Sequence, residues 1–487
     1  MHAKKYLSSI AGLDLRGLSL FRVFLGLIIV FDIIHRWFDI EWFYTDNGFW
    51  PRLFVSTIDK AYFISLHMLD GSVEWQHFLF FIHLMLAIAF ILAIKIRTTT
   101  LFLWIFQVSL ITRNIHVSAG FDDYITCLLL VSLFLPIGRY FTLSDYKNKT
   151  LYPDAEKSNH RWTNLLFVAQ VFSIHFLAGW IKDGNSWLES HTALSMIYNS
   201  EHLSSSFGLW LGQHHDFLMS LTPYVRWVEF FVPFTLFIPR LRFIMILFII
   251  FLHSGIFLTL NAFTFPFVNI ITILPLLPSS FWDKIFNKKR KHHRFSTQKK
   301  TMLKSLAPKG LNYADQVMAF CLLTIMLIQV VKFGTKKEQL PGVPKIIHQL
   351  TMSTLFYQRW LLFGPEPFQK DGYFLFEGEN EKGEVYEIMG NNDVLNGKTS
   401  PQAHQVFKNR RWSRYLLDPT VITTPALHLQ TARGFCAVLR KDGLSSINIK
   451  YHEVRYQPLT RKRLRKEYIL ARTDCNYVNK RSPYMRN

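Results

Sequence analysis

Apolar residues in this chain gather into long blocks separated by short polar segments, and most blocks have the length of a membrane-crossing helix rather than a core strand. Candidate spans fall near residues 18–37, 77–96, 99–113, 122–137, 163–182, 223–239, 242–260, 262–281 and 312–332. Beyond about 336 the pattern changes. Pro341-Gly-Val-Pro344 marks a boundary, and 372–378 followed by 384–388 reads as a hairpin turned at Glu381-Lys-Gly383. Ala437-Val-Leu439 and Ser446–Tyr451 read as further strands, and residues 410–417 as a short helix. The expected fold class is a polytopic all-α membrane domain of about eight to nine transmembrane helices with a C-terminal extracytoplasmic β-rich (α+β) domain. Its expected divisions are 1–283, a basic loop 284–311, a final span 312–335 and the β-rich domain 336–487.

Composition supports a membrane protein over a soluble one: half of the 487 residues are hydrophobic and 45 are Phe. The net charge of +21 could point to nucleic acid, but much of it flanks the apolar blocks. The flanking charges follow the positive-inside rule, with Lys4, Lys5 and Arg16 before the first span and Lys95 and Arg97 after the second. Arg139 to Arg161 follow the fourth span, Arg240 and Arg242 the sixth, and Lys288–Arg294 the eighth. All these loops can be cytoplasmic at once, which puts the amino terminus inside, Lys182 at the outer surface and the tail outside. The run 284–304 then faces anionic lipid and needs no nucleic-acid partner. Cys127, Cys321, Cys436 and Cys475 show no metal-ligand spacing, and two lie in apolar blocks, so no disulfide framework is expected.

Ionisable residues inside apolar blocks are costly and mark functional candidates. Arg22 and Asp32 lie in the first block, His83 in the second, and Asp122 and Asp123 head the fourth. Arg22 could pair with a carboxylate on a neighbouring helix, and Arg226 with Glu229 at i,i+3 reads as an ion pair within one helix. His83 and His253 read more simply as core histidines. The loop Trp42–Trp50 is aromatic and turn-forming, suited to an interfacial belt or to the wall of a site for a flat lipid-soluble ring. The fifth block carries the main candidate, Lys182, two helical turns after His175 and followed by a break at Asp183-Gly184-Asn185. One reading is a lysine that snorkels to the headgroups. The other is an amine left neutral by apolar surroundings and able to accept a proton. No P-loop, dinucleotide fingerprint, His-Glu-x-x-His or Gly-x-Ser-x-Gly occurs, and no metal is demanded.

Leu20-Phe-Arg-Val-Phe-Leu-Gly-Leu-Ile-Ile-Val-Phe-Asp-Ile33 with Tyr44-Thr-Asp-Asn-Gly48 resembles the start of the vitamin K-dependent γ-carboxylase family. The bacterial branch of that family is described by its shared HTTM (horizontally transferred transmembrane) domain. Phe176-Leu-Ala-Gly-Trp-Ile-Lys182 followed by Trp187 is similar to the family's lysine motif. Phe251-Leu-His-Ser254, Leu274-Pro-Leu-Leu-Pro278, Gln358–Pro367 and Asp371-Gly-Tyr373 resemble further family segments. The resemblance implies a multi-pass protein of a bacterial cytoplasmic membrane whose lysine deprotonates reduced vitamin K (or menaquinol). O2 then adds, a protein glutamate loses its γ-proton, CO2 adds and the quinone leaves as its epoxide. It implies Lys182, with Asp122 or Asp123, as catalytic, Tyr44, Trp187, His175 and His253 around the quinone, and no metal. Membrane lipid, the quinol and a protein glutamate are the implied partners. One departure stands out: Gly120-Phe-Asp122-Asp123-Tyr124 occupies the place where carboxylases carry a histidine after an asparagine. Carboxylates there would repel an anionic glutamate, so quinol oxygenation could survive while carboxylation is lost. A non-catalytic membrane scaffold, acting in assembly or transport, is the rival reading.

Overall fold

The structure, a computed structural model, describes residues 2–58, 65–147, 158–159, 161–262, 264–287, 312–334, 344–368, 371–389, 409–439 and 443–475. The basic run 288–304 and the boundary at 341–343 lie outside the described residues.

The amino-terminal part is a helical bundle: α1 (Leu15–Trp37), α2 (Val73–Ile91), α3 (Ile96–Arg113), α4 (Gly120–Ser132), α5 (Leu165–Trp180), α6 (His215–Phe231), α7 (Arg242–Thr259), α8 (Phe265–Ile271) and α9 (Ser279–Asn287). A further helix, α10 (Tyr313–Gly334), packs on it. Among the described residues five helices are long and apolar enough to cross a membrane: Leu15–Trp37, Val73–Ile91, Trp162–Trp180, Pro239–Thr259 and Tyr313–Phe333. A sixth is possible if Phe265–Leu276 and Ser279–Phe286, which meet at 93°, form one broken span. The bend falls where Pro275 and Pro278 interrupt the helical hydrogen-bond ladder. The expected block at 99–113 is helical throughout, within Ile96–Arg113, while those at 122–137 and 223–239 are α-helical over part of their length. Gly120–Ser132 has 13 residues and His215–Phe231 has 17, so neither meets the length of a full crossing on its own.

Local chemistry sets the helix ends. Asp14 caps α1 by accepting from the N–H groups of Arg16 and Gly17, and Ser72 caps α2 by accepting from Trp75 N–H. Arg22, which could have paired with a carboxylate, forms no ion pair among the described residues. Its guanidinium donates to the carbonyls of Ile137 (3.2 Å) and Phe141 (2.5 Å), which lie just beyond the carboxyl end of α4. A guanidinium satisfies such orphan carbonyls with its fork of donors and needs no counter-ion to do so.

The tail forms a four-stranded antiparallel sheet in the order β2-β1-β3-β4, with β1 (Asp371–Asn380), β2 (Val385–Glu387), β3 (Leu444–Gln457) and β4 (Lys462–Asp474). The expected hairpin at 381–383 and the expected strand at 446–451 are both present. So is the helix near 410–417, here α11 (Arg410–Leu416). Ala437-Val-Leu439 is not a strand. It ends α12 (Pro425–Val438), where Pro425 stands in the first turn and an apolar triplet is too short to distinguish strand from helix. The expectation of no disulfide also fails. Cys436 on α12 and Cys475, just past β4, are bonded with their Cα atoms 5.1 Å apart.

The sheet and the bundle share one continuous apolar core. The loop expected to form an interfacial belt or a ring-binding wall is instead the socket between them. Trp42, Phe43 and Phe49 pack on Trp412, and Trp42 and Phe49 also pack on Phe435, with ring centroids 5.0–5.3 Å apart. Residues 355–360 of the tail also enter the bundle. Gln358 is fully buried there, hydrogen-bonded to Gln170 of α5 at 3.0 Å and to Gln329 of α10 at 2.8 Å. Non-helical backbone at that depth is tolerated because its polar groups find protein partners.

Candidate functional site around Lys182

α5 ends where the Ile181 N–H closes on the Leu177 carbonyl, and the chain turns away through Asp183 and Gly184. Lys182 therefore lies just past the helix, yet its side chain folds back along it. Nζ donates to the Ala178 carbonyl at 2.9 Å and to the Glu229 carboxylate of α6. Only 2% of the residue is exposed, so it does not snorkel. Trp187 presents its ring 5.2 Å from Nζ, and Arg226 Nε donates to the Lys182 carbonyl at 2.5 Å.

This corrects two expectations. Arg226 and Glu229 are not each other's partners: Glu229 takes Lys182, while the Arg226 guanidinium lies 4.4 Å from the Trp227 ring centre. Nor does Lys182 face hydrocarbon alone, because a carboxylate sits against it. The close approach of α5 and α6 makes this pairing possible. At Gly179 a Cβ would stand 2.5 Å from the backbone nitrogen of Phe230, so the two helices pack backbone to backbone there.

His175 lies on α5 with α7 behind it. Its Nδ1 is 2.9 Å from the Val171 carbonyl and its Nε2 is 3.3 Å from Nε2 of His253. A carbonyl only accepts, so His175 Nδ1 carries the proton. With both rings neutral, His175 Nε2 accepts and His253 Nε2 donates. That leaves the His253 Nδ1 lone pair buried and, among the described residues, without a hydrogen-bond partner. The pair stands beside Phe248 and Phe265.

The tail covers this site. Trp187 Nε1 donates to the Phe363 carbonyl at 2.9 Å, and the Gly184 N–H donates to the Pro365 carbonyl at 3.1 Å. Glu366 accepts from the Ser186 N–H and hydroxyl. The Gln358–Pro367 stretch is thus a strap over the lysine loop.

Asp122 belongs to a different cluster. Its carboxylate accepts from Arg36 of α1 at 2.5 Å and from Arg411 of α11, while Asp32 accepts from Arg36 at 2.8 Å and from Arg411 at 2.5 Å. The four side chains are at most 3% exposed. Tyr44, expected beside a quinone, accepts from Arg36 at 2.6 Å through its hydroxyl and packs its ring on Phe80. Asp123 turns to the Tyr357 hydroxyl. Lys182 thus meets Trp187, His175 meets His253, and Asp122 and Tyr44 both meet Arg36; among the described residues no hydrogen bond or ion pair links these three groups. The first and the last sit where the tail meets the bundle.

Sequence reasoning missed Glu229 as the lysine's partner, Arg411 as a tail residue inside the bundle, and Glu366. Arg36 was legible as an i+4 neighbour of Asp32, while the other three depend on contacts between distant segments. Among the described residues no group of three His, Cys, Asp or Glu side chains is placed to hold a metal ion.

The HTTM domain family matches residues 11–282, more than half of the chain. The chain belongs to the HTTM domain family. No curated protein and no solved structure matches it. The match takes in Lys182, Glu229, both histidines and Asp122, whereas the strap and Arg411 lie outside it.

Proposed function

We propose that this HTTM protein is a carboxylase-like quinol oxygenase working on reduced vitamin K or menaquinol with O2, its site built on Lys182. The observation that carries the reading is the buried Lys182 Nζ, folded back along α5, the helix that carries His175, and held against Glu229 of α6. A quinol hydroxyl fits the open lone pair of His253 Nδ1 as its donor. Lys182 Nζ takes the proton of a quinol hydroxyl when neutral, and the Glu229 carboxylate beside it provides the next acceptor. Trp187 and the strap exclude water, which protects a basic oxygenated intermediate.

Coupled carboxylation of a protein glutamate with CO2 remains part of the proposal. The repulsion expected from Asp122 loses its premise, since two carboxylates (Asp32, Asp122) face two guanidinium groups (Arg36, Arg411) and the quartet sums to zero. The protein lies in a bacterial cytoplasmic membrane with about eight to nine crossings, an inside amino terminus and an extracytoplasmic tail. The Cys436–Cys475 bond supports that side for the tail, because disulfides persist in oxidising compartments.

The rival scaffold reading has one observation in its favour: a Lys182–Glu229 pair also ties α5 to α6 without any chemistry. Incubating the purified protein with reduced vitamin K or menaquinol and O2, then assaying the epoxide, separates the two. Epoxide that depends on Lys182 supports the oxygenase; no epoxide from either quinol puts the scaffold ahead.

A further inference from the structure

β4 is an edge strand, and it is unusual in being exposed on both faces from Lys462 to Ile469. β3 pairs with it on one side, from Gln457↔Lys462 to Ser446↔Asp474. Among the described residues no backbone hydrogen bond reaches the outer edge of 462–469. Eight residues of open edge are long enough to template another strand, a hazard that proteins manage with charge.

The charge along this edge is mostly basic, and the one acidic residue of 462–469, Glu467, alternates onto the side of Arg463 and Arg465, near Lys450 and His452. Residues 461–466 read Arg-Lys-Arg-Leu-Arg-Lys, five basic groups and no acidic one. The alternation of a strand sorts them. Arg463 and Arg465 turn to Glu201 of the bundle at 3.4 and 3.3 Å, and Arg461, at the turn, holds Asp216 at 2.8 Å. These contacts fasten the arm to the bundle. Lys462 and Lys466, on the other face with Leu464 between them and Tyr468 beyond, make no ion pair among the described residues. A second copy of this edge, a neutral strand or a basic one would meet unpaired lysines. An acidic strand would meet complementary charge, open backbone groups and two apolar side chains between the charges.

We propose that the outer edge of β4 receives an extended acidic segment of another protein by strand addition, with its carboxylates on Lys462 and Lys466. The surface is separate from the Lys182 site, and the proposal stands whether or not that site turns over a quinol.

The test uses the full-length protein in neutral-lipid nanodiscs and a fluorescent peptide of five Glu-Val repeats. Two control peptides accompany it: Lys-Val repeats, and Glu-Val repeats N-methylated at alternate residues so that charge is kept and strand pairing is blocked. Binding of the Glu-Val peptide alone, weakened about tenfold by Lys462→Glu with Lys466→Glu, is the expected result. Both substitutions are on exposed side chains, and an unchanged melting temperature will show that the fold is intact. Equal binding of the N-methylated peptide overturns strand addition. Absence of Glu-Val binding overturns the proposal, as does a double substitution that leaves it unchanged. Loss of binding to anionic phosphatidylglycerol vesicles, with no peptide binding in the native protein, would assign the lysines to the membrane surface instead.

Discussion

Arg411, carried by the C-terminal domain, and Asp122, at the head of α4, meet as a two-pronged ion pair inside the bundle. The tail thus supplies a charge without which the membrane domain holds a surplus of buried carboxylate. Removing one partner of such a pair leaves the other uncompensated, which costs far more than the pair itself is worth. Arg411→Ala should destabilise the protein by about 3–5 kcal/mol. Pairing it with Asp122→Asn should recover part of that loss. Thermal unfolding of the four members of the cycle in detergent gives the coupling; additive single effects would show that the two residues act apart.

Lys182→Ala should reduce epoxide formation by roughly 10²–10⁴-fold while leaving the folded protein in the membrane. Lys182→Arg should fail too, since guanidinium stays charged and cannot take the quinol proton. Glu229→Gln removes the second acceptor and keeps the shape, so turnover should fall with less loss of fold than Glu229→Ala causes. Epoxide output unaffected by Lys182→Ala would mark the lysine as an interhelix tie.

How much of this was legible in the sequence depends on the reach of each contact. The position of Lys182 relative to His175 follows from helical spacing alone, and in the structure the lysine side chain folds back along α5 towards the turn that bears His175. Charge bias along the loops put Lys182, Asp122 and the 42–50 loop at one end of the bundle; in the structure Asp122 and the 42–50 loop meet the tail directly, and Trp187, five residues after Lys182, meets the strap. Glu229 could not be read, because three residues away stood Arg226, a plausible partner that packs on Trp227 instead. The 42–50 loop was misread for a related reason: aromatic density suits lipid headgroups and a protein socket equally, and only the distant Trp412 and Phe435 decide.

Acid should loosen the seam between sheet and bundle at Asp371. Burial pushes its carboxyl up, but the His202 side chain and the N–H groups of Gly372 and Glu201 outweigh that and hold it below its ordinary 3.8. A depressed carboxyl contributes stability that is complete above its unfolded value and is lost as pH falls through the folded one. Melting temperature should therefore hold steady from pH 6 to about 5 on this group's account and drop below about 4. In Asp371→Asn the protein should be less stable at pH 6 and lose part of that acid-side slope. An identical slope in the variant would remove Asp371 from the account.

The Cys436–Cys475 bond joins α12 to the end of β4 across 39 residues, closing the α12–sheet unit that also carries Phe435 into the socket. Closing a loop of that length restricts the unfolded chain by about 2–4 kcal/mol, so Cys436→Ser should lower stability by that order and loosen the docking of the tail. The bond also makes the topology measurable. If the tail is extracytoplasmic, an impermeant maleimide applied to intact cells should label Cys436 and Cys475 only after mild reduction. Cys127, buried in α4, should stay unlabelled throughout. A cysteine introduced by Lys291→Cys should be protected in intact cells and react once the membrane is opened, because the basic run faces the cytoplasm in the proposed topology. Labelling at 291 in intact cells would invert the protein in the membrane and place the site around Lys182 on the cytoplasmic side.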